Sequence, residues 1–191
     1  MTSFSIFGTG NMATAIAGVL TAGGATVSHI AHADTGSVVT GDIVILAVPY
    51  PAVAEILATH GDQLANATIV DITNPLNFDT FDELVVPAGG SAASELQRAL
   101  PNARVLKAFN TNFAATLASG NAGTAPATVL IAGDDTDAKA SLAAAVTAGG
   151  LAAVDAGSLK RAHELEAIGF LQLTLAAAEK ISWTGGFSLN N

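Results

Sequence analysis

Ser3-Phe4-Ser5-Ile6-Phe7-Gly8-Thr9-Gly10-Asn11-Met12-Ala13 decides the reading of the whole chain. Ser3 to Phe7 reads as a strand that buries two aromatics, and Met12 to Leu20 as an apolar helix. Between them lies G-x-G-x-x-A. Each small residue in it has a separate physical task. Gly8 permits the tight turn, Gly10 leaves room for a pyrophosphate against the backbone, and Ala13 lets helix and strand approach closely. The unpaired N–H groups at the helix start would face the phosphates. The stretch therefore predicts a dinucleotide site held by Gly8, Thr9, Gly10, Asn11, Met12 and Ala13.

Working outward, strands and helices alternate. Strands are expected at Ala25–Ala31, Ile43–Val48, Ala67–Ile72, Val105–Phe109, Ala127–Ala132 and Leu151–Asp155. Helices are expected to begin near Pro51, to run over Ser91–Leu100 with Ser91 or Ser94 as N-cap, and to cover Phe113–Ala118 and Ala138–Ala148. One long helix is expected over Leu159–Ile181, with Ser158 as its N-cap and apolar spacing at Leu165, Ile168, Leu171 and Leu175. The link between the second and third strands is too short for a full helix, so Thr35–Thr40 reads as one turn or a loop. Thr73–Gly90 reads as a long irregular segment, functional or mobile, and Gly120–Pro126 as a flexible loop. The pattern predicts an α/β doubly wound, mostly parallel sheet of Rossmann type with a short C-terminal helical extension. The expected division is a nucleotide-binding domain over residues 1–157 and a helix and tail over 158–191.

Composition narrows the function. The 191 residues carry a formal net charge of -9, which argues against nucleic acid and anionic membrane surfaces as partners. There is no cysteine, so disulfides, thiolate nucleophiles and Cys-ligated metals are excluded. No signal peptide or membrane span is read, and a cytoplasmic location is the expectation. No G-x-S-x-G and no Walker-type G-K-[ST] occurs. His163, Glu164 and Glu166 lack a second histidine nearby and read as a solvated or interface face, not a metal site. His29 alternates within its strand and reads as packed.

Ligands of such sheets sit outside the carboxyl ends of the strands. The second strand ends at Ala31-His32-Ala33-Asp34, with no acid at the strand end and no Arg or Lys nearby. This leans towards NADP, with His32 and backbone N–H groups as phosphate contacts, while NAD remains open. Pro49 and Asn74-Pro75 follow buried strands and could line a nicotinamide ribose pocket, or simply end the strands. Asn110, Thr111 and Asn112 offer amides and a hydroxyl to a neutral heterocycle, or else make turn bonds at a strand exit.

These motifs together resemble a known family. Gly8 to Ala13, Ala47-Val48-Pro49, Lys107-Ala108-Phe109-Asn110, Gly133-Asp134, and Asp155 to Leu159 followed by Glu164-Leu165-Glu166 look like the NADP oxidoreductases that depend on the deazaflavin coenzyme F420. They are also similar to the oxidoreductase domain of the STEAP metalloreductases. The resemblance runs in order along nearly the whole chain. It is closest to short dinucleotide-binding members, which share Asp71 to Phe78. It implies a Rossmann domain with a small helical portion, usually a homodimer. It also implies hydride transfer between nicotinamide C4 and a flavin or deazaflavin co-substrate. Thr9 to Met12 would hold the pyrophosphate, Val48-Pro49 would flank the nicotinamide, and Asn110 to Asn112 would face the second ring. No residue need act as acid, base or nucleophile in the hydride step. The chain departs from the family in having Ala31-His32 where Ser-Arg type residues often bind phosphate, in the shortened segment after the second strand, and in Asn110 where the deazaflavin enzymes carry His.

Two other readings compete. The N-terminal motif also looks like pyrroline-5-carboxylate reductase, hence a small imine or hydroxy-acid reductase. A non-catalytic NADP-binding redox sensor is the third.

Overall fold

The computed structural model describes residues 2–189; Asn190 and Asn191, assigned above to the tail, lie outside the described residues. The chain forms β1 (Ser3–Phe7), α1 (Asn11–Ala22), β2 (Thr26–Ile30), β3 (Ile43–Leu46), α2 (Ala52–Leu64), β4 (Thr68–Asp71), α3 (Ala92–Ala99) and β5 (Arg104–Lys107). There follow α4 (Ala114–Ser119), β6 (Asn121–Ala122), β7 (Ala125–Pro126), β8 (Thr128–Gly133), α5 (Thr136–Ala148), β9 (Ala152–Gly157), a 3-10 turn (Leu159–Arg161) and α6 (Ala162–Ala177).

Seven strands make one sheet in the order β2-β1-β3-β4-β5-β8-β9. β3 and β4 lie near its centre, and both are buried along their whole length, as expected for strands covered on two faces. One face packs Phe4 and Ile6 against α1, α4 and α5 through Ile16, Leu117 and Leu142. The other packs Phe7, Val44 and Leu46 against α2 and α3 through Val53, Leu64 and Leu96. Helices thus cover both faces, and the architecture is the expected α/β, Rossmann-like, mostly parallel sheet with a C-terminal helix.

Among the described residues, β5–β8 is the one antiparallel pairing within the large sheet, and β9 runs parallel to β8. α4, between β5 and β8, has six residues, or roughly 9 Å of helix. That is too short to carry the chain back to the far end of the sheet, so β8 returns from the edge where β5 finished. Gly120–Pro126, expected as a flexible loop, forms the small β6–β7 hairpin, with Gly123 at φ 64° in its turn.

The C-terminal helix is shorter than its apolar spacing predicts. Ser158 makes no side-chain capping bond. Asp134 instead accepts from the Leu159 amide at 2.9 Å, and the first turn is 3-10. After Ala177 the chain leaves the helix through Glu179 at φ 57°. The Lys180 amide bonds back to Leu175 O at 2.8 Å, closing the end in the left-handed manner usually left to glycine. At α3 both candidate serines are used: Ser91 caps, and Ser94 closes a capping box. His29, expected to be packed, is exposed, because β2 is an edge strand; its Nδ1 lies 2.9 Å from Gly8 O. Among the described residues no helix is long and apolar enough to cross a membrane.

Candidate functional site

The turn between β1 and α1 is built as the glycines require. Gly8 has φ +113°, and a Cβ there would meet Ala47 O at 2.3 Å. Conformation and the neighbouring strand end both demand glycine. Gly10 is the N-cap of α1, with extended backbone and no side-chain capping bond. A Cβ on Gly10 would have nothing within 4 Å. The space over the helix start is open, and the first amides of α1 point into it. Ala13 is fully buried beneath, where helix and strand meet.

On the β2 side of this turn opens a cleft of about 240 Å³. Gly8, Thr9, Gly10, His32, Ala47, Val48 and Pro49 all line it. The resemblance puts Val48-Pro49 beside the nicotinamide; in the structure they share a wall with His32. His32 and Glu55 face each other across the rim, Nε2 to Oε1 at 3.8 Å, both largely exposed. Asp34 turns back to accept from the Ala31 amide at 3.1 Å. No Lys or Arg is among the described residues lining this cleft.

On the other side lies a cavity of about 250 Å³ lined by Met12, Asn74, Asn110, Asn112 and the α6 residues Gly169 and Gln172, among others. Three of the amide candidates therefore meet at one place, from the ends of β4 and β5. The network orients them. Asn110 donates through Nδ2 to Leu165 O at 2.8 Å and to Asn74 Oδ1 at 2.9 Å. Asn112 donates through Nδ2 to Thr128 O at 3.0 Å. Leu165 O and Thr128 O are backbone carbonyls and can only accept, so both side-chain oxygens must point elsewhere. Asn110 Oδ1 and Asn112 Oδ1 are buried and have no hydrogen-bond partner among the described residues. Asn74 Nδ2 donates to Asn110 O at 2.8 Å. Thr111 points away and lines a separate apolar groove with Leu130, Ile168 and Leu171. Pro75 is buried, and its carbonyl accepts from the Val85 amide at 2.7 Å, folding Thr73–Gly90 back on itself.

Two devices hold this cavity in shape. Gly169 permits α6 to come down on the Asn74 side chain, since a Cβ there would meet Asn74 Oδ1 at 2.3 Å. Phe109, fully buried between β5 and Asn110, sits at φ 62°. For a bulky aromatic this left-handed backbone is strained, and such strain gathers at functional sites.

Beneath the cavity is a charge cluster that pattern reading does not assign to the site. Lys107 is 0% exposed. Its Nζ lies 2.9 Å from Asp71 Oδ2 and 2.8 Å from Glu166 Oε1, and it also donates to Thr73 O. Glu166 is 1% exposed and accepts from the Ala92 amide at 3.0 Å, at the start of α3. Glu166 thus corrects the expectation of a solvated face. His163 is half-buried with Nδ1 2.9 Å from Gly90 O, and only Glu164 pairs at the surface, with Arg161 at 2.8 Å. Burial raises the Glu166 carboxyl above the usual range, against the opposing pull of Lys107; the nearby Asp71 adds to the rise. Close by, Tyr50 donates to Glu95 on α3. Burial first, then that carboxylate, push the Tyr50 phenol up. The signal that could have found the cluster was present: Asp71 and Lys107 are charges inside apolar strands, and buried charges must pair. Among the described residues no group of three or more potential ligands could hold a metal.

No protein-family model matches the chain. It is 30% identical over 149 residues to the F420-dependent NADP reductase of Methanocaldococcus jannaschii, covering 76% of this chain and 66% of that protein. It is 35% identical over 112 residues to the metalloreductase STEAP3 of Rattus norvegicus, covering 59% of this chain and 22% of that one. The matched part thus spans just under two thirds of the first relative and about a fifth of the second. A solved structure of a putative F420-dependent NADP reductase from Arthrobacter superposes over 100% of both chains, with a TM-score of 0.86 at 22% identity. At that identity the likeness speaks for the fold. The glycine turn and the strand-end amides agree with the sequence match to the archaeal enzyme: in sequence and in fold the chain is similar to the F420-dependent NADP reductases.

Proposed function

We propose that the protein is an NADP-dependent oxidoreductase moving hydride between nicotinamide C4 and a flavin or deazaflavin-type ring. One observation carries this reading: two cavities flank the open start of α1, one sharing Gly8 to Gly10 and the other sharing Met12. A dinucleotide gripped by its pyrophosphate at the turn has one half for each side. The chain's own contribution is placement. The α1 amides hold the diphosphate, and His32 stands at the ribose end of the β2-side cleft. Asn110 and Asn112 turn bare carbonyl oxygens towards N–H groups of a ring. The extension after residue 157 closes the second cavity with α6 and excludes water, so that two rings can be held at reacting distance without a protein acid or base.

NADPH oxidation with FMN, FAD and a deazaflavin as acceptors tests this. Turnover with any of them supports the reading. Tight binding of NADPH without turnover on all three would leave the redox sensor instead. We also propose a homodimer through the outer side of α6, where Leu171 is exposed together with Phe187 and Leu189. Sedimentation equilibrium should give twice the chain mass; a single-chain mass would exclude it.

A further inference from the structure

His60 lies on α2, 4% exposed, with its ring edge-on to Phe7 at 5.0 Å between centroids. Its Nδ1 is 2.8 Å from Thr59 Oγ1. The same hydroxyl is 2.9 Å from Glu55 O and 3.3 Å from Ile56 O. Both are helix carbonyls that can only accept, and the hydroxyl has one hydrogen to give. With that hydrogen on the helix carbonyl, Nδ1 carries the imidazole proton and donates to Oγ1. Nε2 is then a bare acceptor. It is buried and has no hydrogen-bond partner among the described residues. An orphaned buried acceptor asks for a physical reason.

The reason lies in where His60 sits. It lines the cleft that begins at Gly8 to Gly10 and passes the end of β2. A dinucleotide held at the turn sends its adenosine half to the end of the second strand. The wall there includes Ile30, Ala31, Val48 and Ile56, apolar surface suited to a flat base. Apolar walls do not tell one purine from another. What adenine offers on its edge is an exocyclic amino group, an N–H donor that hypoxanthine replaces with a carbonyl oxygen.

We infer that His60 selects the base of the dinucleotide, its Nε2 accepting a hydrogen bond from the adenine amino group. The inference rests on the dinucleotide reading and goes beyond it by naming what is recognised. Asp34 is taken up by the Ala31 amide and Glu55 faces His32 at the exposed rim, whereas His60 is buried in the wall of the cleft.

The test is calorimetric titration of the full chain with NADPH and with its purine analogue, in which a hydrogen replaces the adenine amino group and N1 stays unprotonated. The wild type should bind the adenine form about tenfold more tightly. His60→Phe keeps a ring against Phe7 but loses Nε2, and should bind both alike. Equal binding of both by the wild type overturns the inference while leaving the dinucleotide site standing. So does a full adenine preference retained in His60→Phe. If the wild type binds neither, the dinucleotide reading fails and this inference fails with it. The wild-type comparison needs no variant, so it decides even if His60→Phe does not fold.

Discussion

Gly10→Val should bind NADPH at least about a hundredfold more weakly, a loss of roughly 2.7 kcal/mol, while melting within a few degrees of the wild type. The two halves of that expectation come from separate facts. Gly10 has φ -77° and ψ -175°, a backbone any residue can adopt. A Cβ there meets nothing within 4 Å, so the protein has no reason to unfold. The isopropyl group would stand where charge-assisted bonds from the α1 amides to a diphosphate must form. Gly8→Ala is the contrast. It should fail to fold well, because its positive φ and the 2.3 Å approach to Ala47 O leave no room. Calorimetry on Gly10→Val with unchanged NADPH affinity would remove the turn from the site.

Lys107→Met should destabilise the protein by about 3–5 kcal/mol, because it strands Asp71 and Glu166 as buried carboxylates without a counter-charge. For a chain of this size that lowers the thermal midpoint by on the order of 10 °C. Glu166→Gln should be far milder, within about 1 kcal/mol near neutrality, since Lys107 still has Asp71 at 2.9 Å. The pH dependence separates the two roles. The folded protein holds the Glu166 proton more tightly than the unfolded chain does, because burial raises its pKa above the usual carboxylate range. The stability this confers is fully present below the unfolded pKa and is lost as pH rises through the higher folded one. Wild-type melting temperature should therefore fall relative to Glu166→Gln as pH climbs from acid to neutral. Parallel melting curves across that range would show that the carboxyl is not held protonated by its surroundings.

The glycine turn was legible in the chain because conformation, packing and ligand approach all demand small residues at the same three positions. The doubly wound alternation was legible for a similar reason: buried strands and amphipathic helices have different periods. What could not be read depends on neighbours distant in sequence. Glu166 has the spacing of a surface residue on its own helix, and only the fold brings Lys107 of β5 beneath it. The antiparallel return of β8 follows from the shortness of α4 and the hairpin after it, which composition does not announce. Ser158 has the right residue type for a cap but loses the position to Asp134, delivered from the end of β8. His60 looks like any lone histidine in a helix until its missing partner is seen.

The corner at Phe109 bears on engineering the protein. An aromatic ring anchors the interior there, while its backbone takes a shape that costs about 1–2 kcal/mol for an L-residue. Glycine would relax the backbone and empty the core, so neither requirement can be met without sacrificing the other. Selection for heat resistance that rebuilt this bend would yield a tougher molecule whose Asn110 amide no longer faced the ring proposed for it. Thermostability and turnover should therefore trade off at this corner first.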